Sequence, residues 1–260
     1  MENKKIEWCM AACLLLGAFF LFACGPRLIG NKMGSNGKTS DDNQDTESAT
    51  ADGSRAEEST VSSTGWKVVL DAGHGAADSG KVGVNGALEK DINLSIVLFL
   101  KERLEQKGIG VMLTRENDDP LYASSDSNKK MADMKKRIAI MEEYEPDVAV
   151  SIHQNSYPDA SVKGPQVFYY TGSSGGELLA KCIQESFSLA VGAENNTRQA
   201  KANGDYYLLL HTPSVCVIAE CGFLSNPQEA DLLVTEEYQK KIADAVAEGI
   251  ASYLEKECGS

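Results

Sequence analysis

Positive charge is in short supply in this chain. Its 260 residues carry 25 Lys and Arg against 38 Asp and Glu, a formal net charge of −13. No basic stripe is available to neutralise phosphates, so nucleic acid is excluded as a partner. Compact metal and redox motifs are missing as well. There is no CxxC pair and no HExxH, so any metal site must be assembled from residues far apart in the chain. Histidine is scarce: only His74, His153 and His211 occur. The apolar run Cys9–Cys24 is about 16 residues, shorter than the ~17–25 of an ordinary membrane span. No internal repeat is present.

What is there divides the chain in three. Residues 1–30 read as a signal anchor or signal peptide: Lys4 and Lys5 precede the apolar run, and Gly25-Pro26-Arg27 ends it. The basic flank favours a cytoplasmic amino terminus with the remainder exported. Leu21-Phe22-Ala23-Cys24 is close to a lipid-attachment box, so acylation at Cys24 stays open beside an anchor and a cleaved signal. Residues 31–64 are Ser, Thr, Asp, Glu, Asn and Gly with almost no large apolar side chains. Such a segment buries too little surface to offset its ordering entropy and reads as a disordered polar linker. Residues 65–260 are the folded domain. Its Cys182, Cys216 and Cys221 are expected as buried free thiols, because a core of this size needs no disulfides.

Within the domain, apolar runs and amphipathic segments alternate. Val68–Leu70 breaks into Asp71-Ala72-Gly73-His74-Gly75, and a glycine-rich loop leads to a helix with Ile92, Ile96, Leu100 and Leu104 on one stripe. Asp91 is expected to cap that helix and Gly108 to close it. A strand over Ile109–Thr114, a helix over Lys129–Tyr144 and the strand VAVSIH ending at His153 follow. QVFYY, a helix over Gly175–Ala190 and the strand VCVIA before Glu220 come next, with an irregular polar stretch over Val191–Gly204. Asn226-Pro227-Gln228-Glu229 has a helix-start grammar, and a last helix runs from Glu236 to Lys256. The fold class is therefore α/β: a single domain with a mainly parallel twisted sheet of about six strands flanked by helices.

Three of the apolar strands run into a residue with chemistry: His74, His153 and Glu220. In open α/β sheets, sites form beyond the carboxyl ends of the strands. Two imidazoles and one carboxylate, with a place left for water, are a usual donor set for catalytic zinc. His74, Glu89 and His153 supply that set, and Glu220 is a carboxylate suited to proton transfer beside the metal. Bland readings exist for each. His74 could pack on its glycines, Glu89 could favour the following helix N-terminus, and His153 could be a satisfied polar strand end. Glu220 is the least ordinary, because it follows a strongly apolar run and needs a partner if buried.

The blocks VVLDAGHG, GALEKDINL, VMLTREND, SIHQNS, GPQVFYY and VIAECGFLSNPQEADLL occur in one order. In that order they resemble the zinc-dependent N-acetylmuramoyl-L-alanine amidases of the third amidase family, from about Val68 to the carboxyl end. The resemblance implies zinc (Zn2+) held by His74, Glu89 and His153, with Glu220 as the catalytic carboxylate. It implies cleavage of the amide between N-acetylmuramic acid and the first L-alanine of the peptidoglycan stem peptide. Ala72 stands where a Pro is common, and Cys221 where a small or β-branched residue is common. YYLLLHTP and KKRIAIMEE are similar to the spore-cortex amidases of endospore formers. The expected location is extracytoplasmic, at the cell-wall face, tethered by the amino-terminal segment. A monomer is expected, with an activating lipoprotein or other wall-associated partner left open.

Four further residues are candidates for substrate binding. Arg115 ends a strand and is a candidate for a stem-peptide carboxylate or a structural ion pair. Arg198 has similar standing, Asn155 is a candidate to orient the loop or the glycan, and His211 to line the groove. Asp71 is expected to fix the glycine loop. The competing functions are another zinc hydrolase, such as a carboxypeptidase or glycan deacetylase, and a wall-binding module without turnover.

Overall fold

The structure is a computed structural model in which residues 63–192 and 194–258 are described. The readings of residues 1–30, and of the linker up to residue 62, lie outside the described residues. Among the latter, six strands and six helices alternate. They are β1 (Lys67–Ala72), α1 (Glu89–Gln106), β2 (Gly110–Leu113), α2 (Lys129–Tyr144), β3 (Val148–Asn155), β4 (Gln166–Tyr170), α3 (Ser174–Val191), β5 (Lys201–Asn203), α4 (Tyr207–His211), β6 (Val215–Phe223), α5 (Pro227–Leu233) and α6 (Glu236–Cys258).

The strands form one sheet in the order β2-β1-β3-β6-β4-β5. All neighbours are parallel except β4 and β6, which are antiparallel. The mainly parallel α/β sheet is therefore as expected. Helices on both faces explain why β1, β3 and β6 read as near-continuous apolar runs: both sides of each strand are covered.

Alternation along each strand sorts the core. Val68, Leu70, Val148, Val150, Ile152, Val217 and Ala219 face the thicker layer built by α1, α3 and α6. Val69, Ala149, Cys216 and Ile218 face the thinner layer of α2 and α4, against Ile138, Met141, Leu208 and Leu209. Full burial of an aliphatic side chain contributes about 1.5–3 kcal/mol, so the thicker layer dominates stability. The same parity puts Asp71, Ser151, His153 and Glu220 on the thinner side. The polar chemistry thus stands where the helical cover is lightest. Cys182, Cys216 and Cys221 are buried free thiols, as expected.

Helix starts are partly as read. Asn128 accepts from the Met131 N–H at 3.0 Å and starts α2 at Lys129. Asn226 accepts from the Glu229 N–H at 3.0 Å, with Pro227 in the first turn of α5. Gly108 follows α1 at φ +75°, the left-handed conformation that glycine takes without strain. Asp91 is a correction. The helix begins at Glu89, after an extended Leu88 that offers no side-chain cap, and Asp91 lies in the first turn. Backbone carbonyls replace the cap: Glu89 N–H donates to Lys81 O and Lys90 N–H to Ser79 O. The glycine-rich loop itself therefore satisfies the orphan donors of the helix start.

Three other boundaries move. β3 and β6 run past His153 and Glu220 to Asn155 and Phe223, with an irregularity in their pairing after His153. The polar stretch after α3 contains β5, a three-residue strand held by pairing with β4. The apolar segment after it is the short helix α4. Both are too short to carry a period of their own.

Candidate active site

The loop after β1 turns sharply. His74 has φ +63° and Ala76 φ +51°, values that non-glycine residues rarely adopt and that concentrate at functional sites. Two glycines make room. A Cβ on Gly73 would lie 2.2 Å from the His153 ring, and one on Gly80, at φ +64°, 2.6 Å from both Glu89 Oε2 and His74 Cδ2.

The result is convergence. His74 Nε2 lies 3.2 Å and His153 Nδ1 3.0 Å from Glu89 Oε1. The two rings meet edge to face with centroids 4.9 Å apart. One ligand atom from each of the three residues lies within 4.8 Å of the others. Glu89 is buried and fixed by backbone donors: Lys81 N–H to Oε2 at 2.7 Å and Gln154 N–H to Oε1 at 3.0 Å. Burial raises its pKa, but the hydrogen bonds from His153 and His74 prevail and hold the carboxyl well below its usual range.

Outside this trio, His74 Nδ1 donates to Asp78 Oδ2 at 3.0 Å, which turns Nε2 toward Glu89. Burial alone would lower the His74 pKa, yet the bonds to Asp78 and Glu89 lift it to about 9. A pocket that retains a proton this strongly is one whose field favours a cation.

Glu220 faces the same space. It pairs in register with His153 across β3 and β6. Its Oε2 is buried and has no hydrogen-bond partner. Burial, helped by Glu89 and opposed by the two imidazoles, raises its pKa to about 7. A carboxyl poised near neutrality in a cavity is suited to take up and release a proton.

The cavity measures about 600 Å³ and runs from His74, His153 and Glu220 toward the start of α2 and α4. Under its floor, Arg137 of α2 is buried. It donates to Asp71 Oδ1 at 2.6 Å, Ala72 O at 2.7 Å, His74 O at 2.6 Å and Asp133 Oδ2 at 2.6 Å. Asp71 also accepts from Ser151 and Thr114. Burial raises the Asp71 pKa, and Arg137 with these hydroxyls outweighs it, holding the carboxyl at about 2. Asp71 thus fixes the loop, as expected.

A model of the N-acetylmuramoyl-L-alanine amidase family matches residues 68–252. The chain belongs to this family. The germination-specific N-acetylmuramoyl-L-alanine amidase of Bacillus subtilis is 36% identical over 74% of this chain and 81% of its own length. Among solved structures, the CwlD amidase of Clostridioides difficile, in complex with the GerS lipoprotein, matches with TM-score 0.70 and 39% identity. That match covers 73% of this chain and 98% of CwlD. The catalytic domain of the CwlV amidase of Bacillus (Paenibacillus) polymyxa var. colistinus matches with TM-score 0.63 and 31% identity, over 73% and 98%. As a family member, the chain is an amidase that hydrolyses the muramoyl–alanine amide of peptidoglycan. A wall-binding module without turnover is set aside, as are the other zinc hydrolases.

Among the residues singled out in the sequence, the structure brings His74, His153 and Glu220 to one cavity, with the buried Glu89 against both imidazoles. It places the four substrate-binding candidates elsewhere. Arg115 is buried, and four of its N–H groups donate to Ala72, Gly73, Lys90 and Asn117 carbonyls. Arg198 donates to Lys163 O and Gln166 Oε1 and covers the Phe223 ring. Asn155 Oδ1 accepts from the following Ser156 N–H. His211 is exposed at the end of α4 against Tyr207, and Tyr207 lines the cavity. Sequence reasoning missed Asp78, Arg137, and the pair Asn93 and Gln154 that ties α1 to β3. Two signals existed. Asp78 lies four residues after His74, and Arg137 interrupts the apolar stripe of α2 between Met134 and Ile138.

Proposed function

We propose that zinc is held by His74, Glu89 and His153 and that Glu220 is the catalytic acid and base. One observation carries the reading: a buried carboxylate with an unpartnered oxygen, raised to about 7, faces a His-Glu-His cluster across one cavity. The donor set fits. Two imidazoles and a carboxylate with an open side suit catalytic zinc, and Asp78 orients His74 as such sites require. Zinc bound there supplies Lewis acidity, making water more acidic and polarising the amide carbonyl.

The chain's own residues do the rest. Glu220, ionised, accepts the proton of the attacking water. Protonated, it sits where it delivers that proton to the departing alanine nitrogen, and a pKa near 7 suits both halves of the cycle. Gly73, having no Cβ, leaves the space that the His153 ring occupies against the backbone turn. Arg137 and Asp71 hold that turn rigid, so the geometry is set before substrate arrives.

The biological setting is part of the same proposal. The amino-terminal segment exports the domain and keeps it near the membrane, either as an anchor or through Cys24. The relationship to a germination-specific amidase favours spore peptidoglycan as substrate. The complex of CwlD with a lipoprotein favours a partner of that class here. Mass analysis of products from purified peptidoglycan, together with metal content, tests the reading. Fragments split between sugar and alanine, from protein holding about one zinc per chain, are expected. Activity in protein that holds no metal overturns the zinc assignment.

A further inference from the structure

The cavity extends beyond the reacting centre to the first turn of α2, where Lys129 and Lys130 line it with Tyr122. These two lysines are unusual in three ways. They sit at the positive end of a 16-residue helix whose first turn holds no acidic residue, an arrangement that costs rather than stabilises. No ion pair among the described residues involves either of them; Lys129 only covers the Tyr122 ring, 5.4 Å from its centroid. They also stand in a strongly acidic protein.

The carboxylates on the same wall are already engaged. Asp78 bonds His74 and the Gly80 N–H, and Asp133 and Asp71 bond Arg137. Glu220, with its buried unpartnered oxygen, is the exception and belongs to the reacting end. Lys130 acts through space on Asp78, but Asp78 is already shared by His74 and the Gly80 N–H, so the distal end of the cavity carries two exposed ammonium groups without a carboxylate of their own.

We propose that Lys129 and Lys130 form the subsite for a free carboxylate of the stem peptide. The inference rests on the amidase reading and deepens it, because it fixes the direction of the substrate. The muramic acid side of the scissile amide offers hydroxyl and acetamide groups without fixed charge, whereas the peptide side carries carboxylates. Charge complementarity then seats the peptide over α2 and sends the glycan out of the opposite end.

The test uses the zinc-loaded full chain and two soluble muropeptides, identical except that one bears a stem-peptide carboxylate and the other its carboxamide. The wild type should prefer the carboxylate about tenfold in kcat/KM, through KM, as expected for charge-assisted binding. In Lys129→Gln/Lys130→Gln the preference should collapse to within about twofold. Added salt of about 0.5 M should erode the wild-type preference. Lys129→Arg/Lys130→Arg should keep it, and so should Lys181→Gln on α3, which reports general effects of charge loss. A wild type without preference, or a Gln double variant that keeps it, overturns the subsite. If the wild type cleaves neither compound, the amidase reading fails instead. The subsite is then decided by calorimetric titration with the free acidic peptide: binding lost in the double variant supports it, and a wild type that does not bind overturns it.

Discussion

His153 and Glu220 stand opposite each other on adjacent parallel strands, in register, with side chains on the same face of the sheet. Neighbouring strands lie about 4.8 Å apart, so the pairing alone places a candidate metal ligand beside a candidate proton carrier. Glu220→Gln keeps the shape and removes the titration. It should lower turnover on peptidoglycan by about 10²–10⁴-fold while zinc content stays at the wild-type level. A fully active variant removes Glu220 from the chemistry.

The same carboxyl should burden the metal-free protein. Its pKa rises from 4.5 to about 7 on folding, chiefly through burial. Between those values the folded state binds more protons than the unfolded one, so stability falls as pH rises. The loss is about 3 kcal/mol once pH exceeds 7. Glu220→Gln should abolish it. Without metal, the variant should melt higher than the wild type by roughly 5–10 °C at pH 8 and by little at pH 4.5. A difference that does not change with pH contradicts the burial argument.

Legibility followed periodicity. β1, β3 and β6 were readable because buried strands leave apolar runs, and α1, α2, α3 and α6 because their stripes persist over several turns. β5 and α4 left no signal, since three or five residues fix no period and their state is set by β4 and by the core. His74, His153 and Glu220 were visible as polar interruptions at the ends of apolar runs. Glu89 was not distinguishable by spacing from an ordinary first-turn acid; it entered as the carboxylate that completes a zinc donor set, the resemblance supported it, and its position comes from the loop folding back through Lys81. Arg115 stayed open between two readings because an arginine after a strand looks the same in sequence whether it faces substrate or four carbonyls. Arg137 was hidden in an amphipathic helix whose neighbouring positions are apolar.

Metal retention should separate the trio from its support. Glu89→Gln keeps volume but removes the charge that offsets a dication, and should leave the purified protein nearly free of zinc and without turnover. Asp78→Asn leaves an amide oxygen able to accept from His74 Nδ1 but removes the negative charge behind that bond, and should weaken zinc binding about 10–100-fold, the usual cost of weakening an outer partner. Competition with a chelator of known affinity measures both. Equal losses in the two variants contradict the assignment of Glu89 as ligand and Asp78 as its support.

Arg137 should matter for stability more than its place beside the cavity suggests. Replacing it with Met strands Asp71, a buried carboxylate, and should cost about 3–5 kcal/mol in denaturant unfolding. Asp71→Asn added to that variant should recover part of the loss, since only the partly exposed Asp133 is then left without its ionic partner. In the wild type, the contribution of Asp71 is present above its unfolded pKa and is lost as pH falls toward about 2. An additive double variant shows that the two side chains are not coupled.

Gly73→Ala tests preorganisation with one methyl group. Gly73 sits at the end of β1, its N–H donates to Ile152 O, and its carbonyl accepts from Asn93 and Arg115, so the backbone has little freedom to move. The added Cβ would lie 2.2 Å from the His153 ring, far inside van der Waals contact. The imidazole is the softer partner and must swing away, which breaks its contact with Glu89. A displacement of about 1 Å at a reacting centre costs on the order of 10²-fold, so turnover should fall at least that much. The sheet beneath is unaffected, and the far-ultraviolet circular dichroism should match the wild type. His153→Ala should abolish turnover to a similar degree, and adding Gly73→Ala to it should cost almost nothing more, because the ring that the methyl displaces is gone. A further large loss in the double variant shows that the methyl acts through the backbone turn and not through His153.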